Sequence, residues 1–236
     1  MRRMGLLSLA ALLVAFSVMA GGKHYTYEEL KLPQGGSLSY ALILPEHFDP
    51  KGIYPALLAL PPGNQTREMV EAGLKRYWGA AAARRGWIVA SPVAPGGKLF
   101  FQGSEHLIPP LLDRLQARFH IEGGKFHLAG VSNGGRSAFR VALDSPERFA
   151  SLTVLPGFPP SREDFGRLEL LKGLPVQMFA GGNDHQWVKM ERETKEKLDT
   201  LGIEASLTVF PGEGHVPSSM EGARVMKLLE KLRPKN

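Results

Sequence analysis

GVSNGG, residues 130–135, sets a serine between glycines directly after the apolar stretch 126–131. A nucleophile mounted on a sharp strand-to-helix turn calls for this spacing. The turn strains the backbone at the serine, so the positions two residues away must be nearly free of side chain for strand and helix to approach. The rival reading is a serine that caps a helix, which serine also does well. The surroundings favour the first. Lys125 to Val131 reads as an apolar strand leading in, and the stretch after Ser132, with Phe139 and Val141 on one face, reads as an amphipathic helix leading out. At the start of that helix the backbone N–H of Asn133 can donate to an oxyanion, helped by the positive end of the helix dipole.

Outward from this turn the same alternation repeats. Short apolar runs punctuated by Gly or Pro occupy 37–45, 54–63, 86–95, 125–132, 151–157, 175–184 and 205–215, and each resembles a buried strand. Amphipathic helical patterns lie between them at 67–85, 106–119, 133–143, 186–201 and 218–232. Strand-helix alternation predicts an α/β fold: a mostly parallel central sheet with helices on both faces, and no large lid domain. Reactive groups in such sheets collect at the carboxyl ends of the strands. Four polar residues fall there: Asn64, Ser132, Asp184 and His215.

A serine hydroxyl needs a base, and the base must lie downstream on another strand end. Of the seven histidines, His24, His47, His106, His120 and His127 do not sit on a late strand-end loop. His215 follows the last apolar run, with Pro217 fitting an early position of the last helix. Asp184, at the end of the preceding run, is the carboxylate that orients it. His185 is a rival base, Glu213 a rival acid, and capping the helix near Gln186 the rival role for Asp184. The order Ser132, Asp184, His215 is that of the α/β-hydrolases. The second oxyanion donor is expected in the loop 60–65, where the N–H of Asn64 or Gln65 is available and the prolines have none. Phe100 and Phe101 in the Gly/Pro-rich loop 92–106, with Phe158 and Trp187, are expected to line an apolar substrate pocket; the rival role for such aromatics is core filling. Segment 156–174 is the place for a lid, and it is short.

Composition agrees with a globular protein and narrows its setting. The 236 residues fit one large domain over 21–236. Residues 1–20, a basic start, an uncharged apolar run and a small-residue exit at Val18-Met19-Ala20, form an expected secretory signal, with an uncleaved anchor as the rival. Export to the periplasm or beyond follows, without stable membrane association after cleavage. The absence of cysteine excludes disulfides, thiolate metal sites and a cysteine nucleophile. Nothing in the sequence calls for a metal or cofactor. Loss of Arg2 and Arg3 with the signal leaves 27 basic residues against 23 acidic ones, interleaved along the chain, a pattern that does not make a nucleic-acid groove.

The stretch FHIEGGKFHLAGVSNGGRSAFRVALDSPERFASLTVLPG, residues 119–157, resembles the poly(3-hydroxybutyrate) depolymerase and feruloyl esterase group of the α/β-hydrolases. There a Ser-Asn-Gly-Gly elbow, a helix, a Pro-x-x-Phe turn and a Gly-ended strand recur. It is similar also to the dienelactone hydrolase and phospholipase/carboxylesterase families. The resemblance implies a serine esterase acting on a small-molecule or polymer-borne ester, with Ser132 as nucleophile. A serine peptidase on the same triad and a non-catalytic binding protein on the same fold stay open at this level.

Overall fold

The structure, a computed structural model, describes residues 24–32 and 35–233; the expected signal segment lies outside the described residues. Ten strands are present among the described residues: β1 (Thr26–Lys31), β2 (Ser37–Ile43), β3 (Ile53–Tyr54), β4 (Ala56–Leu60), β5 (Ile88–Pro92), β6 (His120–Ile121), β7 (Phe126–Gly130), β8 (Phe149–Val154), β9 (Val176–Gly181) and β10 (Ala205–Phe210). Eight form one sheet in the order β1-β2-β5-β4-β7-β8-β9-β10, while β3 and β6 pair separately. From β5 across to β10 every pairing is parallel; β2 joins β5, and β1 joins β2, antiparallel.

The helices are α1 (Arg67–Gly73), α2 (Gly79–Arg84), α3 (Ile108–Arg118), α4 (Asn133–Asp144), α5 (Arg162–Gly166), α6 (His185–Thr200) and α7 (Ala223–Lys231). They divide between the two faces. Leu58, Leu60 and Leu128 face a core closed by Leu111 of α3, Phe139 of α4 and Leu198 of α6. Their strand neighbours Leu57, Ala59 and Ala129 face the opposite core, closed by Val70 of α1, Ala82 of α2 and Met226 and Leu229 of α7. A strand buried on both sides must be apolar at every position, which is why β4 reads ALLAL. Each fully buried leucine contributes about 1.5–3 kcal/mol through the area removed from water.

All seven predicted strands are present. The sequence pattern misses β1, because TYEELK sits at an edge with half its side chains in solvent and lacks an apolar run. Two helix readings need correction. The predicted helix 67–85 is interrupted by a π-turn at Leu74–Trp78, after which Gly79 brings its Cα against the Leu74 carbonyl where a Cβ would collide. The last helix begins at Ala223 rather than 218, and Pro217 therefore lies in a loop. Gly222 takes φ 48° and donates its N–H to the Arg76 carbonyl, an arrangement that ends the loop and starts the helix. Segment 156–174 folds down as α5 and a 3₁₀ turn. Asp164, its side chain fully buried, accepts two hydrogen bonds of 2.7 Å from Arg140 of α4. Among the described residues no helix is long and apolar enough to cross a membrane.

Candidate active site

Because β4, β7, β9 and β10 run parallel, their carboxyl ends open on the same edge of the sheet, and the four loops that follow carry Asn64, Ser132, Asp184 and His215. Ser132 adopts φ 56°, ψ −117°, a conformation that non-glycine residues avoid. Its N–H donates to the Leu155 carbonyl at 3.2 Å and its carbonyl accepts from Arg136 at 3.1 Å, so the strained residue is held on both sides. Two flanking glycines make the turn possible. A Cβ on Gly130 would run into the Gly134 carbonyl, and one on Gly134 into the carbonyl of Leu60 on the neighbouring strand. The Ser132 hydroxyl makes no cap hydrogen bond to α4.

Instead, Ser132 Oγ lies 2.7 Å from His215 Nε2, and His215 Nδ1 lies 2.5 Å from Asp184 Oδ2. A carboxylate only accepts, so the neutral imidazole carries its proton on Nδ1 and its Nε2 accepts from the serine hydroxyl. The arrangement can pass a proton from Oγ to Nε2. Asp184 fills both roles weighed for it: Oδ2 faces His215, while Oδ1 accepts the Trp187 N–H at 3.3 Å and caps α6. His185 is an exposed residue at the start of α6 and takes no part in the hydrogen bonds of Ser132 and Asp184. Glu213 is a loop clamp: its carboxylate accepts from the Ser219 N–H at 3.0 Å and from the hydroxyls of Ser218 and Ser219, which shapes the turn around His215 and holds its pKa below the usual carboxylate value.

The loop after β4 approaches the elbow. Asn133 Nδ2 donates to the Gly63 carbonyl at 3.0 Å, bringing Asn64 beside the start of α4. Of the two donors considered for this loop, Gln65 spends its N–H on the Pro62 carbonyl at 3.1 Å, and Asn64 remains. Gln65 itself is a residue whose importance the sequence did not display. Fully buried at φ 55°, it donates through Nε2 to Ser137 Oγ and the Pro61 carbonyl and accepts the Phe100 N–H through Oε1.

The four aromatics separate. Trp187 packs edge-on against His215, ring centroids 4.6 Å apart, and Phe158 packs against Trp187 at 4.8 Å. Phe158 also borders a surface hollow of about 460 Å³ shared with Pro160, Phe165 and Met190. Phe101 is joined to this group through Arg136, whose guanidinium carbon lies 4.5 Å from the Phe101 centroid and 5.5 Å from that of Phe158. Phe100 does not line the site: it is fully buried in the core, because its backbone is drawn inward by Gln65. His127, in β7, is buried against Trp87 and Ser151, and burial lowers its pKa to about 4. Behind the site Glu191 of α6 is fully buried, with Oε1 accepting the Gly157 N–H at 2.8 Å and Oε2 without a partner. Burial, reinforced by the charge of Asp184, raises its pKa to about 8.

No protein-family model matches the chain, and no curated sequence matches it. Solved structures do. A thermostable esterase superposes with TM-score 0.70 at 19% identity, covering 89% of this chain and 62% of that one. An S-formylglutathione hydrolase from Agrobacterium tumefaciens superposes with TM-score 0.68 at 15% identity, covering 91% and 96%. An acylaminoacyl peptidase from Pyrococcus horikoshii superposes with TM-score 0.65 at 14% identity, covering 88% of this chain and 42% of that one. The chain thus spans under two thirds of the esterase and under half of the peptidase. Sheet order, the direction of its strands and these superpositions agree: the chain has the α/β-hydrolase fold.

Proposed function

We propose that this chain is an exported serine hydrolase that cleaves carboxylic esters through an acyl-enzyme intermediate. The observation that carries the reading is the hydrogen-bonded series Ser132–His215–Asp184, at 2.7 and 2.5 Å, on a strained strand-to-helix turn. Ser132 Oγ attacks the ester carbonyl as His215 Nε2 takes its proton; the N–H groups of Asn133 and Asn64 hold the oxyanion; His215 returns the proton to the departing alcohol. Water, deprotonated by the same imidazole, then releases the acid. Asp184 keeps the imidazole in the right tautomer and offsets its charge once protonated. The folded-down segment 156–174 leaves the cleft open, which suits soluble or protruding esters.

The test is covalent. A fluorophosphonate probe should label Ser132 in the full chain and leave Ser132→Ala unlabelled, with p-nitrophenyl esters of short acids hydrolysed only by the former. An unlabelled wild type with no esterase activity would sink the proposal in favour of a non-catalytic binding protein. Acylaminoacyl peptidases among the similar folds supply a second reading, cleavage of an amide on the same triad. Matched p-nitrophenyl ester and p-nitroanilide substrates, compared by kcat/KM, separate the two.

A further inference from the structure

Arg136 follows Ser132 by four residues, and its N–H closes the first turn of α4 on the Ser132 carbonyl. Residues four apart are neighbours on a helix surface, and helical side chains lean toward the N-terminus, so the guanidinium is directed toward the elbow end of α4. Its contacts agree: Phe101 and Phe158, the latter stacked on the Trp187 that touches His215. Nη2 donates to the Pro160 carbonyl at 3.0 Å, and Nε is buried without an acceptor. Nη1 has no hydrogen-bond partner among the described residues and is not buried from solvent.

Among the described residues no carboxylate pairs with this group. Every other half-buried arginine of the described residues is paired: Arg85 with Glu230, Arg140 with Asp164 and Glu105, Arg148 with Asp113, Arg167 with Asp144, and Arg233 with Glu122. The unpaired arginines elsewhere are exposed, where water solvates them at no cost. A half-buried cation without a counter-charge is unfavourable, as the depression of the Arg136 pKa by burial alone shows. Aromatic contacts offset part of that cost, but rings take the faces of a guanidinium and leave its edge of N–H donors open.

We propose that Arg136 is a specificity-determining residue that takes a carboxylate carried by the ester substrate, on its acyl or its alcohol side. This inference rests on the esterase reading above. The edge of a guanidinium gives a carboxylate a charge-assisted hydrogen bond, and the Phe101 and Phe158 rings cover part of the group against the water that would weaken it.

The experiment compares kcat/KM for carboxylate-bearing and neutral esters of matched length. One arm uses p-nitrophenyl hemiesters of straight-chain dicarboxylic acids, from succinate to suberate, against p-nitrophenyl esters of simple acids. The other uses carboxyphenyl butyrates against phenyl butyrate. The wild type should prefer the charged ester in one arm by about tenfold or more, mainly through KM, and the preference should shrink in 0.5 M salt. Arg136→Gln should remove the preference, and Arg136→Lys, which keeps the charge, should retain much of it. Equal kcat/KM for charged and neutral esters in both arms overturns the inference, as does a preference unaltered in Arg136→Gln. Wild-type kinetics alone decide the point if the Gln variant folds poorly. Turnover of neutral esters with labelling of Ser132 leaves the esterase reading standing when only the Arg136 inference fails; no turnover and no labelling overturns both.

Discussion

Gln65 Nε2 donates to Ser137 Oγ across 2.8 Å inside the protein, and this bond fastens the loop that carries Asn64 to the helix that begins at the elbow. Gln65→Leu removes it and leaves the Phe100 N–H and the Ser137 hydroxyl without their buried partner. Each such loss costs about 1–3 kcal/mol. An oxyanion donor shifted out of place costs about 100-fold or more in kcat. Steady-state kinetics on a p-nitrophenyl ester should therefore show kcat falling far more than KM changes, with a lowered melting temperature. Unchanged kcat in a destabilised variant would mean that Asn64 does not contribute the donor.

The two oxygens of Asp184 can be tested apart. Asp184→Asn retains an acceptor for the Trp187 N–H but offers His215 an amide, which favours the wrong tautomer and should lower kcat by roughly 10⁴. Asp184→Ala loses the cap as well, worth about 1 kcal/mol. Thermal melts should place the Ala variant below the Asn variant, while both are nearly inactive.

Two buried groups pull stability in opposite directions with pH. His127, its folded pKa lowered to about 4, contributes stability that is present above its unfolded value near 6.5 and lost as pH falls through 4. Glu191, its folded pKa raised to about 8, contributes stability that is present below its unfolded value near 4.3 and lost as pH rises through 8. The two slopes cancel between about pH 4.5 and 6.5, and from 6.5 to 8 that of Glu191 acts alone. Glu191→Gln keeps an acceptor for the Gly157 N–H and cannot ionise. Its melting temperature should exceed that of the wild type at pH 8.5, and the gap should narrow at pH 6. Parallel melting curves for the two proteins across this range would contradict the assignment.

Asp164 holds segment 156–174 against α4 through Arg140. Removing one partner of a buried pair typically costs about 3–5 kcal/mol. Asp164→Ala should lower the melting temperature by on the order of 10 °C for a chain of this size, and limited proteolysis should cut first within the segment. A melting temperature within a degree of wild type would show that the segment is held instead by its own Leu168 and Leu171, both fully buried in the core.

Most of the sheet was legible because its strands are buried on both faces, and a strand such as ALLAL at 56–60 carries its own signature. Edge strand β1 was not, since half of its residues face water. The spacing and order of Ser132, Asp184 and His215 were readable because parallel strands bring their carboxyl ends to one side whatever the details of packing. Gln65 was not readable, because its partner Ser137 lies 72 residues away and a lone glutamine in a loop carries no periodic signal. Phe100 misled for a related reason. In a loop rich in Gly and Pro, neighbouring aromatics look alike in sequence, and only the pull of Gln65 on one backbone N–H sends Phe100 inward while Phe101 stays at the surface of the site.

The sheet order has a consequence for the time at which the protein becomes competent during folding. Ser132 follows a central strand, whereas His215 follows β10, which lies at the sheet edge and among the described strands pairs only with β9. A strand with a single partner and a half-exposed face is held by fewer buried contacts than a central one, so the elbow is expected to form before its imidazole is in place. On refolding from denaturant, fluorescence of the fully buried Trp78 and Trp87 should recover before reactivity toward a fluorophosphonate does. On the proposed reading, topology would in this sense keep Ser132 silent until the last strand has docked.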